Sequence, residues 1–493
     1  MTENTNAGAA PIAPRGTTPF ARVATNAPAL KRVEPLLPFA NVPSACSDEN
    51  VRLGTRIDPF WADLWPVGST ASWVDAASAR EQEAAGVGRL PAYLSTDEGA
   101  AAVKVTDVVR NPGYLDVFSV LDSWRTATGE QLAAFTGQSS LATGKSATMT
   151  NLFATELVDV GIFSNVLFNT RGTARGALYR PADTKVFEKK VAPLLTYTEW
   201  VSTTAGIKAR VGGGQHARHN IIATELALRI AEVCDIGTVV GEKLSLADLL
   251  GYTGLGLPSK GAGYTRAADF TIIRQDGARI AVEVTASIGR AFDLKMQHWA
   301  ELLADRRMND SGLAVLFVLV DKPNRKKSGN AVRNTVYKRL RETVKNTPGV
   351  SFDRVASRMA IADWREWFPE AGVVSPSFFE LDCDRPTGDP GSSDTLWERA
   401  SFLSNGSLQF APTGNWAEAA LDNMSMLRSV PHWLRGGRNP AELWPVLLAD
   451  AGLDQIPVPP LSRPELTPGT RGFGEAFGFV GATRPPKRMR AKS

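Results

Sequence analysis

The feature that most restricts the fold is the run Ala-Ala-Asp-Phe-Thr-Ile-Ile at 267–273, followed by Asp276-Gly277 and then Ile-Ala-Val-Glu-Val-Thr at 280–285. β-Branched and aromatic residues favour extended chain, and Asp-Gly between two such runs is a strong short-range sign of a tight hairpin. The segment reads as two antiparallel neighbours. It carries two carboxylates, Asp269 near the start of the first strand and Glu283 inside the second, between Val282 and Val284. Strand side chains alternate, which puts Glu283 on the face opposite the two valines. A helix over Ala291 to Leu303 and an apolar strand over Leu313 to Val320 follow. A helix over His216 to Val233 precedes, with Ile221, Leu226, Ile230 and Val233 as its apolar stripe and Glu225 on a flank. The order is α-β-β-α-β.

Two carboxylates converging from paired strands repel, and each raises the other's pKa unless a cation intervenes. Mg²⁺ takes oxygen ligands and keeps waters, so an Asp/Glu pair plus a phosphate describes metal-assisted hydrolysis of DNA. The bland reading is an Asp at a strand start and a Glu held in a surface pair. Strand Asp, hairpin, then Glu-x-Thr resembles the PD-(D/E)xK restriction-endonuclease-like superfamily. That resemblance implies Asp269 and Glu283 as catalytic metal ligands, Glu225 as supplementary acid and Mg²⁺ as cofactor. One position departs: Thr285 stands where the superfamily has its catalytic Lys. Lys295 on the next helix is the replacement candidate, with Gln297 as a polar partner; loss of cleavage is the other outcome.

A second regular region spans 113–182. Tyr114, Val117, Leu121 and Trp124 recur at helical spacing, and a short helix from Glu130 to Phe135 closes at Thr136-Gly137. A longer amphipathic helix is expected to carry Met149, Leu152, Phe153, Leu157 and Val160 and to end at Gly161. Strands over Ile162 to Phe168 and Ala174 to Tyr179 follow, joined by a turn containing Arg171 and Gly172. Three helices and a hairpin predict a winged helix-turn-helix. Its third helix would offer Lys145, Ser146, Thr148, Thr150 and Asn151 to a major groove, while Arg171 and Arg175 meet phosphates. Winged helices also serve as dimerisation or docking modules. Gly144-Lys145-Ser146 is not a phosphate loop, because the glycine that motif requires is Ser139 here and no strand precedes it.

Taken together, the wing region, the His-Ala-Arg-His-Asn helix from His216, Ala-Ala-Asp-Phe and Val-Glu-Val-Thr look like the replication-relaxation family of plasmid and mobile-element proteins, over roughly 113–321. The resemblance implies a double-stranded DNA-binding protein of plasmid replication or transfer, built as a winged helix plus an often degenerate nuclease-like domain.

Charge supports a nucleic-acid partner only locally, since 55 Lys and Arg against 51 Asp and Glu leave +4. Residues 322–345 hold nine of the basic residues, among them Arg325, Lys326, Lys327, Arg333, Lys338, Arg339 and Arg341, and one acid, Glu342. They read as a loop becoming a helix with Val332, Val336 and Leu340 inward; a solvated face is the plain alternative. Six phosphate contacts there would give a salt slope of about −5.

The flanks read as less regular: a disordered leader over 1–45, a small helical subdomain over 46–112 anchored by Trp61, Leu64, Trp65 and Trp73, a Trp/Pro/Gly-rich region over 369–483 with a short helix near Ala441 to Ala451, and a basic tail over 484–493. The nuclease-like domain is expected over 205–368. His216, His219 and Cys234 lack a fourth ligand for zinc, so the histidines are expected to cap or hydrogen-bond. His298 and His432 suggest no nucleophilic triad. Three cysteines without a CxxC pair argue against a disulfide framework and fit a reducing cytoplasm. No signal peptide or eighteen-residue apolar run is present, so no membrane partner is expected. The expected fold is a multidomain α+β or α/β chain. The leading function is duplex-DNA binding in mobile-element replication or transfer, with a homodimer among the candidate partners. An active Mg²⁺-dependent endonuclease is the second reading, and a winged-helix transcriptional regulator the third.

Overall fold

Thr128 shows how local chemistry sets the first elements. Its hydroxyl accepts from the Gln131 amide while the Gln131 side chain accepts from the Thr128 amide, so a helix must start there. Gly137, at φ 72°, ends it in the left-handed conformation that favours glycine. The computed structural model describes residues 27–61, 69–87, 108, 111–143, 146–165, 170–171, 177–195, 197–205, 208–212, 216–246, 267–320, 329–387, 397–411 and 416–436.

The chain begins with β1 (Leu37–Pro38), β2 (Ser69–Val74) and α1 (Ala76–Ala84). Next come α2 (Pro112–Trp124), β3 (Ala127–Thr128), α3 (Gly129–Thr136), α4 (Ala147–Ala154), β4 (Val158–Asn165), β5 (Thr170–Arg171) and β6 (Leu178–Pro181). The strands form an antiparallel sheet in the order β2-β4-β6-β3, with β5 on β4. Two expectations change here. The third helix stops at Ala154, because the chain reverses through Glu156 at positive φ; Leu157 and Val160 fit either period, and Val160 belongs to β4. Gly161 lies inside β4, where a Cβ would sit 2.8 Å from the Leu178 Cβ and 3.1 Å from the Trp73 ring. Within the stretch read as a small helical subdomain, β2 is a strand of this sheet.

After α5 (Tyr197–Thr204) come α6 (Ala217–Val233), β7 (Thr238–Gly241), β8 (Phe270–Ile273), β9 (Arg279–Thr285), α7 (Arg290–Asp305), α8 (Met308–Ser311) and β10 (Leu313–Leu319). The chain continues as α9 (Gly329–Asn346), β11 (Gly349–Val350), β12 (Asp353–Arg354), β13 (Met359–Asp363), α10 (Trp364–Trp367), β14 (Val373–Val374), β15 (Asp382–Pro386), β16 (Trp397–Ser401) and α11 (Trp416–Ser425). The fold is mixed α/β around a seven-stranded sheet, β16-β15-β13-β10-β9-β8-β7. Its centre, β9-β10-β13, is parallel and both flanks are antiparallel.

Alternation divides the sheet residues between two apolar layers. Phe270, Ile272, Ile280, Val282, Leu316 and Val318 join the core that includes α6. Ala281, Val315, Phe317 and Ile361 join α7 through Phe292, Met296 and Trp299, and α9 through Val336, Tyr337 and Leu340. Helices on both faces require strands that are apolar on both faces, and LAVLFVL in β10 satisfies that condition.

The flanks are built into these units. β15 and β16 extend the main sheet. Further on, the Trp124 indole donates to the Ser429 carbonyl at 3.0 Å and the Trp433 indole to the Ala231 carbonyl at 3.1 Å. The leader read over 1–45 has a defined course from residue 27: β1 pairs with β14, and the Ala27 amide donates to the Asn334 side chain. The helix expected near Ala441 to Ala451, the basic tail, Leu64 and Trp65 lie outside the described residues.

Candidate functional site

Phe270 pairs with Val282 and Thr271 with Ala281, so continuing the register by one step sets Asp269 directly opposite Glu283. Directly opposed residues share a face. The Asp269 amide donates to the Val282 carbonyl at 3.0 Å, and the Val284 amide donates back to Asp269 Oδ2 at 2.7 Å, which locks the carboxylate beside β9.

α7 crosses this face. Lys295 and Trp299 are four residues apart and therefore lie on one side of the helix. Both reach Glu283: the Lys295 ammonium ion-pairs with Oε2, and the Trp299 indole donates to Oε1 at 2.7 Å. From the other layer, His219 in the first turn of α6 places Nε2 2.9 Å from Asp269 Oδ1. Each of the four carboxylate oxygens thus has a protein partner. Thr285, at the position of the expected lysine, is buried one strand step beyond the pair, and its carbonyl accepts from the Val320 amide at 2.9 Å.

The electrostatics follow from burial and these contacts. For Glu283, 2% exposed in its side chain, burial is the largest influence and Asp269 adds to it; Lys295 and Trp299 counteract only in part, leaving a pKa of about 7. Burial also opposes ionisation of Asp269, yet His219 and Lys295 with the Val284 amide outweigh it and hold the pKa down to about 2. Burial works against both cations, and their carboxylate partners more than restore them, so Lys295 and His219 are both raised. Lys295 and His219 stand at the solvent rim of the set, 28% and 31% exposed.

Mg²⁺ does not fit this set as arranged. It needs carboxylate oxygens free to coordinate, and here every oxygen of the pair has a protein partner. Among the described residues, no three His, Cys, Asp or Glu side chains gather as a metal-binding group. What the arrangement offers an incoming phosphate is the cationic rim.

Glu225 is not brought to the pair. Its carboxylate receives Arg56 Nε and Arg229 Nε, each at 3.2 Å, and the Gln131 amide at 3.4 Å. Arg229 also meets Asp58 at 2.8 Å, and Arg56 meets Glu232 at 3.0 Å, so a buried ion network ties the segment around 51–58 to α6. Glu225 was read on a helix flank because nothing local signals that the chain before α1 covers that flank. His219 is the residue whose role at the pair the sequence did not show; only its place in the first turn of α6 hints at it. Gln297 turns away and donates to Glu301 at 2.9 Å.

The candidate DNA contacts divide. On α4, Ser146 is a buried cap accepting from the Thr148 amide at 3.2 Å. Thr148, Thr150 and Asn151 are half-buried, and Asn151 donates to the Tyr114 hydroxyl at 2.5 Å. The Arg171 backbone pairs with Ser164 in the β4–β5 ladder. On α9, Arg333 departs from the expected outward orientation. It is 6% exposed, lies 3.4 Å from Asp363, 3.7 Å from Glu366 and 3.8 Å from Asp384, and donates to the Pro28 carbonyl. Its inward position follows from the spacing 333, 336–337, 340, 344, which puts it on the apolar stripe of the helix. Arg339 pairs with Asp293 of α7, exposed Lys338 lies 3.8 Å from Glu342, and Arg341 is half-buried. Lys145, Arg175, Arg325, Lys326 and Lys327 lie outside the described residues.

No helix among the described residues is long and apolar enough to cross a membrane. Compared with known proteins, the chain matches no family model, no curated protein and no solved structure.

Proposed function

We propose that this chain is a double-stranded DNA-binding protein acting in replication or transfer of a plasmid or mobile element, in which a winged helix holds the duplex and a restriction-endonuclease-like domain binds without cutting. The observation that carries the reading is the closed acid pair, in which all four oxygens of Asp269 and Glu283 have protein partners and a cationic rim faces solvent. A phosphate approaching that rim meets Lys295 and His219 before it meets a carboxylate. The order helix, strand, helix, helix, strand, hairpin strand, strand from α2 to β6 supports the winged-helix part, with half-buried hydroxyl and amide groups on α4 for a groove. Fluorescence anisotropy of a labelled duplex tests it: binding that weakens steeply with salt is expected, and no binding at low salt overturns it.

A second reading, an active Mg²⁺-dependent endonuclease, is favoured by the register that opposes Asp269 to Glu283 with Lys295 beside them. It requires His219 or Lys295 to release an oxygen when duplex binds. Cleavage of a labelled duplex in Mg²⁺ that disappears in Asp269→Ala and in Glu283→Ala would favour this reading over the first.

A further inference from the structure

At the far end of the main sheet from the acid pair, where α8 leads into β10, a cleft of about 530 Å³ opens between α8, the β11–β12 turn and residues 406–409. Two of its arginines are committed to the fold. Arg358 is buried, donates to the Arg306 carbonyl at 2.8 Å and meets Asp353 at 3.2 Å. Arg385 pairs with Glu398 and donates to the Ser407 carbonyl at 2.6 Å.

What remains for a ligand is a different set. Phe352, at the tip of the β11–β12 turn, is 75% exposed and contributes nothing to either apolar layer. The Arg307 guanidinium lies 5.3 Å from its ring centroid and has no carboxylate partner among the described residues. Asn309 and Gln409, both exposed and lining the same cleft, present amides with no hydrogen-bond partner among the described residues. An aromatic face, a guanidinium held against it and amides at the edge are the three groups that take, respectively, a base, its phosphate and its hydrogen-bonding edge.

We infer that this cleft binds an unpaired nucleotide of single-stranded DNA, with Phe352 stacking the base and Arg307 contacting the adjoining phosphate. An exposed ring can serve only a base whose own face is free, which excludes the interior of a duplex. The site is therefore distinct from the duplex contacts proposed above. It would hold a displaced strand while the duplex is engaged elsewhere.

The test uses the full chain and a fluorescein-labelled oligothymidylate, read by anisotropy beside a labelled duplex. Stacking on an aromatic side chain is worth about 5- to 150-fold in affinity. Phe352→Ala is expected to weaken oligothymidylate binding at least about fivefold and to leave duplex binding and the melting temperature unchanged. Phe352→Trp should retain the binding, and Arg307→Ala should weaken it. The inference fails if wild-type chain does not bind oligothymidylate, or if Phe352→Ala binds it like wild type. It also fails if an abasic sugar-phosphate oligomer competes equally, which would mean charge alone. Competition by thymidine monophosphate at matched nucleotide concentration would assign the cleft to a free nucleotide and overturn the strand proposal. Loss of duplex binding with oligothymidylate binding intact would overturn the duplex reading and spare this one.

Discussion

Replacing Lys295 with Met removes the cation that ion-pairs with Glu283 while keeping most of the side-chain volume. Losing one partner of a buried ion pair costs about 3–5 kcal/mol, and because Lys295 is 28% exposed the lower figure, about 3 kcal/mol, is expected at pH 8. The cost depends on pH in a definite direction. Glu283 has a folded pKa of about 7, above its ordinary 4.5. Its contribution to stability is therefore complete below pH 4.5 and is lost as pH rises through 7. Removing Lys295 moves the folded value higher still, so parent and variant differ little where both are protonated and diverge above pH 7 by about 1.4 kcal/mol per pH unit. At pH 6 the expected loss is that of one hydrogen bond, about 1 kcal/mol. With unfolding entropy of about 2.1 cal/mol/K per residue over the 323 described residues, the melting temperature falls about 4 °C at pH 8 and about 1.5 °C at pH 6. Circular dichroism melts at the two pH values measure this. Adding Glu283→Gln should restore most of the loss at pH 8, because no buried charge is then stranded. Equal losses at both pH values, or no recovery in the double variant, would refute the reasoning.

His219 is raised by Asp269, so its contribution is present below the ordinary 6.5 and disappears as pH rises through the raised value; His219→Ala should lower the melting temperature more at pH 6 than at pH 9. Gly161→Val adds a side chain where a Cβ already meets Leu178 at 2.8 Å, and a loss of about 1–3 kcal/mol is expected in the same melts. Arg333→Ala should cost about 3 kcal/mol by removing the buried cation that Asp363, Glu366 and Asp384 share, while Arg365 stays beside Asp363 and Arg399 beside the other two, with no change in the salt dependence of duplex binding. Replacing Arg325, Lys326 and Lys327 together by Ala should do the reverse, reducing the salt slope by up to about 2.7 at unchanged melting temperature.

The hairpin was legible because its signals are local: alternation in β9 and the Asp276-Gly277 turn, where Gly277 adopts φ 84°. Lys295 was legible for the same reason, since helical spacing carries it to the strand side of α7. β15 was not. Asp-Cys-Asp-Arg-Pro has no apolar run, and it becomes a strand because Ile361 of β13 and all of β16 offer ladder partners from distant sequence. β7 was missed because it is four residues long, and β8 supplies its pairing from across the segment 242–269. The inward turn of Arg333 was available from its spacing with Val336, Leu340 and Val344, but a dense basic run invites reading by charge, which hides the stripe. Glu225 lies away from the acid pair for a tertiary reason, namely which flank of α6 the segment around 51–58 covers, whereas His219 hydrogen-bonds as expected, with Asp269 as its partner.

Incubating the chain with supercoiled plasmid in Mg²⁺ and running the mixture before and after protease treatment shows whether it binds duplex DNA with its acid pair closed. Retarded plasmid that returns wholly to the supercoiled band once the protein is digested is expected. Plasmid of free mobility at every protein concentration, or plasmid released as open circles that Asp269→Ala and Glu283→Ala do not produce, would contradict that expectation.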